Sequence, residues 1–172
     1  MRDSVHTAPT DPRDVMNALS EPFAPIIRRA VLADEAAVRA CAVAAYTRYI
    51  AAIGRPPAPM VADFGAQIAA GIIHVATGTG GQVQGFVVFF AKGEAMVLEN
   101  VAVHPDAAGQ GIGRALIAAC ETAARQAGLR AVDLYTNAKM TENLSIYPRL
   151  GYARTGRRME DGFDRVYFRK TL

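Results

Sequence analysis

Cysteine is scarce in this chain: Cys41 and Cys120 are the only two in 172 residues, and neither has a partner at a telling spacing. That excludes a disulfide framework and a cysteine-rich zinc site, and makes a reducing cytoplasm the expected compartment. Three scattered histidines make no metal site, so no metal cofactor is expected. No uninterrupted apolar run approaches the ~18 residues of a membrane span. The first 25 residues carry Asp3, Asp11, Asp14 and Glu21 among prolines but no apolar segment, so no secretory signal is expected there. Lysine is scarce too, with three residues against sixteen arginines. The formal net charge is only +3, and its excess gathers between Arg149 and Lys170. A nucleic-acid partner calls for a denser basic stripe with interleaved aromatics, and none is expected here. Those late arginines fit either a small anionic ligand or a solvated basic edge.

What remains is ordinary for a folded domain: 51% hydrophobic and 20% charged residues, although 33 of the apolar residues are Ala. The length fits one domain that buries its own core, and the composition excludes disorder along most of the chain. Residues 1–25 are polar, aperiodic and proline-bearing, and are expected to form a mobile lead-in to a domain over 26–172. A short strand is expected around Ile26, Ile27 and Val31. Asp34 is expected to cap a helix in which Val38, Cys41, Ala45, Tyr49 and Ile53 recur at helical spacing, with Gly54 ending it. A proline-rich loop to Met60 and a short helix from about Asp63 to Ala70 follow. Three strands, Ile72–Ala76, Val83–Phe90 and Met96–Val103, are separated by polar turns and predict an antiparallel meander.

The second half changes character. A glycine-rich turn, Ala107–Gly113, opens a helix to about Ala127, Gly128 stops it, and Ala131–Thr136 reads as a strand. Strand, helix and strand in that order predict parallel pairing. A helix from Thr141 to Leu150 precedes a hairpin around Asp161-Gly162, a favoured type I′ turn pair.

The stretch Val101-Ala102-Val103-His104-Pro105-Asp106-Ala107-Ala108-Gly109-Gln110-Gly111-Ile112-Gly113-Arg114 carries the chemistry. A buried strand that becomes a helix N-terminus through glycines is an anion cradle, because unpaired amides and the helix dipole both favour negative charge. A Walker loop needs Lys then Ser or Thr where this chain has Arg114-Ala115. A dinucleotide fingerprint spaces its glycines differently and sits in the first βα unit of its fold. Taken alone, the turn also fits a tight helix start.

A second motif, Met140-Thr141-Glu142-Asn143-Leu144-Ser145-Ile146-Tyr147-Pro148-Arg149-Leu150-Gly151-Tyr152, follows about thirty residues on. His-Pro and Gly-x-Gly-Arg-Ala-Leu followed by Tyr-x-x-Leu-Gly-Tyr resembles the GNAT superfamily of N-acetyltransferases, in element order from Ile26 to Leu172. The resemblance implies a single α/β (α+β) domain: a mixed, mostly antiparallel sheet of about seven strands with about four helices. It implies a splay between the fourth and fifth strands, with acetyl-CoA lying in it. Val101 and Val103 would offer backbone groups to the pantetheine arm and thioester. Backbone amides of Ala108, Gly109, Gln110, Gly111, Ile112, Gly113 and Arg114 would hold the pyrophosphate. Asn143 would face the CoA arm, and Tyr147 would act as general acid near its sulfur. The chain departs from the family at Ala108, where Gln or Arg is usual, and at Met140, where the commoner helix has Asn. Tyr46, Tyr49 and the Gly54–Met60 loop would border the acceptor, and core packing and loop stiffness explain them equally well. Many relatives pair, so a homodimer is one expected assembly.

The reaction sets its own demands. At pH 7 a lysine-like amine is neutral in about one molecule in two thousand, and an α-amine in about one in seven. A base is therefore worth most for a strongly basic acceptor. Period-two alternation puts Glu99 on the face of Val101 and Val103, as the base or as a cross-strand charge partner. The departing thiol, of pKa ~8.5, gains only modestly from an acid, on the order of 10²-fold. Tyr147 reads as that acid or as a core aromatic, and both cysteines read as inert core. The expected function is acetyl transfer from acetyl-CoA to a primary amine of a small molecule or peptide, with no covalent enzyme intermediate. A non-catalytic CoA-binding module is the alternative, and a nucleotide-binding oxidoreductase a more distant one.

Overall fold

The computed structural model describes residues 25–172. The expected lead-in therefore lies outside the described residues, apart from Pro25. Strand β1 (Ile26–Arg29) leads into a 3-10 turn, Leu32–Asp34, and helix α1 (Glu35–Tyr46). The helical run continues through Thr47–Tyr49 and Ile50–Ile53 and stops at Gly54, whose φ of 85° only glycine adopts without strain. Asp34 does not cap α1 as expected. Its carboxylate turns back to accept from the Val31 N–H at 2.8 Å and from Arg28 at 2.7 and 2.9 Å. Asp63 does cap helix α2 (Phe64–Ala69), accepting from the Ala66 N–H at 2.9 Å.

Strands β2 (Ile73–Thr77), β3 (Val83–Lys92) and β4 (Ala95–Val103) form the antiparallel meander. Helix α3 (Ile112–Gln126) crosses to β5 (Ala131–Asn137), which pairs with β4 in parallel. Helix α4 (Thr141–Arg149) leads to the hairpin of β6 (Ala153–Glu160) and β7 (Phe163–Thr171). Its Asp161-Gly162 turn has φ of 54° and 74°, the two positive angles of a type I′ turn. The sheet order is β1-β2-β3-β4-β5-β7-β6.

Each face of the sheet carries its own core. One gathers Val38, Cys41 and Tyr46 of α1 and Phe64 of α2 over Ile73, Val75, Phe86 and Val88. The other gathers Leu116 and Cys120 of α3 and Tyr147 of α4 over Val87, Leu98, Val132 and Phe168. Each fully buried Val, Leu or Phe contributes roughly 1.5–3 kcal/mol of transfer free energy. By length and composition alone, the 22 residues Leu32–Ile53 could cross a membrane. Here Val38, Cys41, Ala42 and Tyr46 of that run are buried on the sheet. Both thiols are buried, which pushes each pKa up to about 12.

The feature that matters for function is where β4 and β5 part. They pair only from Ala95 to Leu98 against Ala131 to Leu134, while β4 runs on to Val103 beside β3 and β5 to Asn137 beside β7. Val88 faces Asn100 but the next residue, Phe89, faces Leu98, so Glu99 is the extra residue of a β-bulge. A bulge bends and twists its strand, and this one sits where the pairing stops. The splay is thus built into β4.

Candidate active site

Two clefts open from the gap. The larger, about 1870 Å³ with its open mouth included, lies between β4, the loop before α3, and α4. Its walls include Val101, Val103, Ala108, Gly109, Gly111, Ile112, Gly113 and Arg114. Gly109 and Gly111 both have φ of 78°, and among the described residues no atom beyond their chain neighbours lies within 4 Å of where their Cβ would stand. The first bond of α3 runs from the Ala115 N–H to the Gly111 carbonyl at 3.0 Å, and among the described residues the amides of Ile112, Gly113 and Arg114 have no backbone partner. Three unpartnered amides at a helix N-terminus, facing an open groove, fit a phosphate. Ile112 contributes its amide only, since its side chain is in the core. Gln110 is exposed and does not line the groove. Arg48, Arg114 and Arg149 make the groove positive. Arg48 reaches Glu142 of α4 at 2.6 Å.

The smaller cleft, about 860 Å³ with its mouth, lies on the other side of the gap. Pro57, Ala58 and Pro59 of the rigid loop form one wall, and Tyr135, Phe163 and Arg165 form another. Glu99 lines it, accepting from Gln67 Nε2 at 2.9 Å. The alternation argument for Glu99 does not hold, because the bulge interrupts it. Leu98 and Val101 pack toward α3, whereas Glu99 meets Gln67 of α2 and Asn100 meets Tyr46 of α1. Glu99 reaches the gap from the face opposite to Val101 and Val103.

The two clefts share Tyr46, Val101, Asn143 and Tyr147. Tyr147 packs edge-on against Tyr152 and tilted against Phe168, with ring centroids 6.0 and 5.5 Å away. Among the described residues no protein group bonds its hydroxyl, and burial holds its pKa well above the ordinary phenol value. It is therefore a protonated hydroxyl at the meeting point of the clefts. Asn143 donates to Thr136 Oγ1 at 3.1 Å, which fixes its amide beside β5. Met140, at the family's Asn position, has its sulfur against Thr136 at 3.6 Å and lines the smaller cleft. The Tyr46 hydroxyl stands 2.9 Å from the Val101 carbonyl and 2.6 Å from Asn100 Oδ1, tying α1 to the open end of β4. Tyr49 lines the larger cleft and not the smaller.

Arg165 escapes the sequence reading. It looks like one more cation of a basic tail, yet its side chain is only 11% exposed and walls the smaller cleft. Its alternation with Tyr167 along β7 was the available signal, but only pairing to β5 shows that it stacks over Tyr135. Arg48 and Arg149 carry no sequence signal of their own.

The family profile described as "Acetyltransferase (GNAT) domain" matches residues 69–154, half of the chain. The PaiA N-acetyltransferase of Thermoplasma acidophilum, solved in complex with coenzyme A, shares the fold. Its TM-score is 0.72 over 87% of this chain and 100% of that one, at 16% identity. Nourseothricin acetyltransferase aligns at TM-score 0.54 and 27% identity over 58% of this chain and 64% of its own. Mycothiol acetyltransferases of Cellulomonas flavigena and an Arthrobacter species are 51% and 46% identical over 55 and 54 residues. Those stretches cover 32% and 31% of this chain and only 16% and 17% of the relatives. The chain belongs to the GNAT acetyltransferase family, a class of acyltransferases.

Proposed function

We propose that the chain transfers acetyl from acetyl-CoA directly to a primary amine of a small molecule or peptide. The observation that carries this reading is the meeting of two clefts at Tyr147 and Asn143, one with unpartnered helix amides and one with a carboxylate. Acetyl-CoA, when bound, supplies an activated acyl carbonyl. The amides of Ile112, Gly113 and Arg114 hold its pyrophosphate, and Val101 and Val103 border its pantetheine arm. Across the gap Glu99 takes one proton from the incoming ammonium and frees the nitrogen lone pair to attack. The C–N bond forms, the C–S bond breaks, and the Tyr147 hydroxyl gives its proton to the departing sulfur. The second amine proton replaces the one Tyr147 gave, so the exchange releases one proton to solvent. Both buried thiols stay protonated, which supports transfer without an acyl-enzyme. Positioning contributes most to the rate, deprotonation less, and the tyrosine proton least.

Thermal unfolding with acetyl-CoA, CoA and NADH, followed by thiol release on adding amines, tests the reading. A CoA species at 100 times its Kd adds about 2.7 kcal/mol, roughly 5–10 °C for a chain of this size. A shift with both CoA species but not NADH, and amine-dependent thiol release, is expected. No shift with either CoA species sinks the reading.

A further inference from the structure

Resting on that transferase reading, we propose that the acceptor is a singly charged amine with an apolar body and no carboxylate. Among the described residues, Glu99 and Arg165 are the only charged side chains lining the smaller cleft. They are not equivalent. Glu99 bonds only the neutral Gln67 amide, and no cation pairs with it among the described residues. Its negative charge is left for something that enters the cleft.

Arg165 is already committed. Its Nη1 donates to Glu160, its Nη2 lies 3.3 Å from Asp161 Oδ2, and its guanidinium stacks over the Tyr135 ring at 4.5 Å. Glu160 in turn accepts from the Tyr167 hydroxyl, and Arg55 donates to the Asp161 carbonyl at 2.6 Å while lying over Phe163 at 3.6 Å. Arg165 therefore holds the hairpin tip as a wall of the cleft. A substrate carboxylate would have to displace Glu160 or Asp161 to reach it, or enter the cleft with no cation to meet. An unpaired charge there is costly. A second ammonium on the same substrate would meet Arg165 or a neutral wall, with no second carboxylate to pair it among the described residues.

Part of the remaining lining is hydrocarbon and aromatic, with Pro57, Ala58, Pro59, Leu98, Met140 and Phe163, and part is neutral and polar, with Gln67, Asn100, Thr136, Asn137 and Asn143. Proline and a clamped aromatic are already ordered, so an apolar substrate body loses little affinity to ordering the wall. One free carboxylate near the gap and an apolar wall in the same cleft recognise an ammonium with a hydrophobic substituent.

The probes are 2-phenylethylamine, L-phenylalanine and 1,4-diaminobutane, titrated calorimetrically into the CoA complex at pH 7, with turnover measured separately. Phenylethylamine and phenylalanine share the aromatic body and a protonated amine and differ by the carboxylate. Phenylethylamine is expected to bind about tenfold or more tightly than phenylalanine, and more tightly than the diamine. Glu99→Gln should weaken phenylethylamine by about tenfold and leave CoA binding unchanged. Phenylalanine binding as tightly or more tightly overturns the proposal, because Arg165 then exchanges Glu160 for substrate. Tighter diamine binding, or no binding of phenylethylamine, also overturns it. Selective binding without turnover of any bound amine supports this acceptor class and counts instead against the transferase reading.

Discussion

Tyr147 owes its position to the residues that follow it. Pro148 cannot donate to the helix, so α4 ends within two residues, and Gly151 adopts φ of 88°. The Tyr152 N–H then returns to the Tyr147 carbonyl at 3.1 Å, closing the helix end around the residue that faces both clefts. The protonated phenol sits well above the thiol (~8.5) in pKa, so giving up its proton is uphill and its contribution modest. Tyr147→Phe should lower turnover about 10- to 100-fold, with acetyl-CoA affinity nearly unchanged; an unaltered rate removes Tyr147 from the mechanism. Glu99→Gln should slow transfer at neutral pH, and the deficit should shrink as pH rises because more amine is already neutral. A pH-independent deficit makes Glu99 a structural residue. Tyr147 was legible because its motif is local. The surroundings of Glu99 were not, because a bulge leaves no period in the sequence to read.

At the scale of elements, the cofactor groove depends on how closely α3 lies on β3. A Cβ at Gly85 would stand 2.8 Å from the Ala102 carbonyl oxygen, 3.1 Å from Leu116 Cδ1 and 3.2 Å from Ile112 Cγ2. Gly85 thus lets the first turn of α3 sit against the sheet, where its free amides reach the groove. Gly85→Ala should cost about 1–3 kcal/mol by overpacking and weaken acetyl-CoA binding, because the displaced Ile112 carries one of those amides. Urea unfolding and a CoA titration on one preparation check both effects. Unchanged CoA binding with lowered stability separates packing from the cradle. Further along α3, buried Glu121 accepts two bonds from Lys170 at 2.9 Å and one from the Tyr152 hydroxyl at 3.0 Å. That junction fixes α3 to β7 and to the residue that closes α4. Helices and strands were readable from spacing and glycine stops, but Gly85 looked like any glycine in a strand.

For the whole molecule, β1 sits at the edge of the sheet and is tied to the start of α1 by Arg28 and Asp34. The Asp34 side chain is 11% exposed. Its bonds from Arg28 and from the Val31 N–H outweigh desolvation and hold its carboxyl below the ordinary carboxylate pKa. A depressed folded pKa means that this stabilisation is complete above the ordinary value of ~3.9 and is lost as pH falls through the folded value. Asp34→Asn should therefore cost about 1.5–3 kcal/mol at pH 7, and the difference from the parent should narrow as pH drops below about 4. Urea midpoints across pH 2–7 measure it. A difference that stays constant down to pH 2 shows that the substitution acts through packing and not through the charge.

The sequence by itself determined the element order, the meander, the parallel crossover, the type I′ hairpin and the glycine turn at the start of α3. The elements and their turns are set within a few residues, by apolar period, capping, positive φ and the missing N–H of proline, and the meander and the crossover follow from the order of those elements. The tertiary structure alone decided the rest. Which cleft Glu99 faces depends on a bulge defined by β3. Whether Arg165 is a surface charge or a wall depends on Tyr135 of β5 and on Glu160 across the hairpin. The active gap exists because β4 and β5, 36 residues apart at their first paired residues, Ala95 and Ala131, stop pairing after Leu98. Those relations join residues distant in the chain, and no local pattern encodes the distance between them.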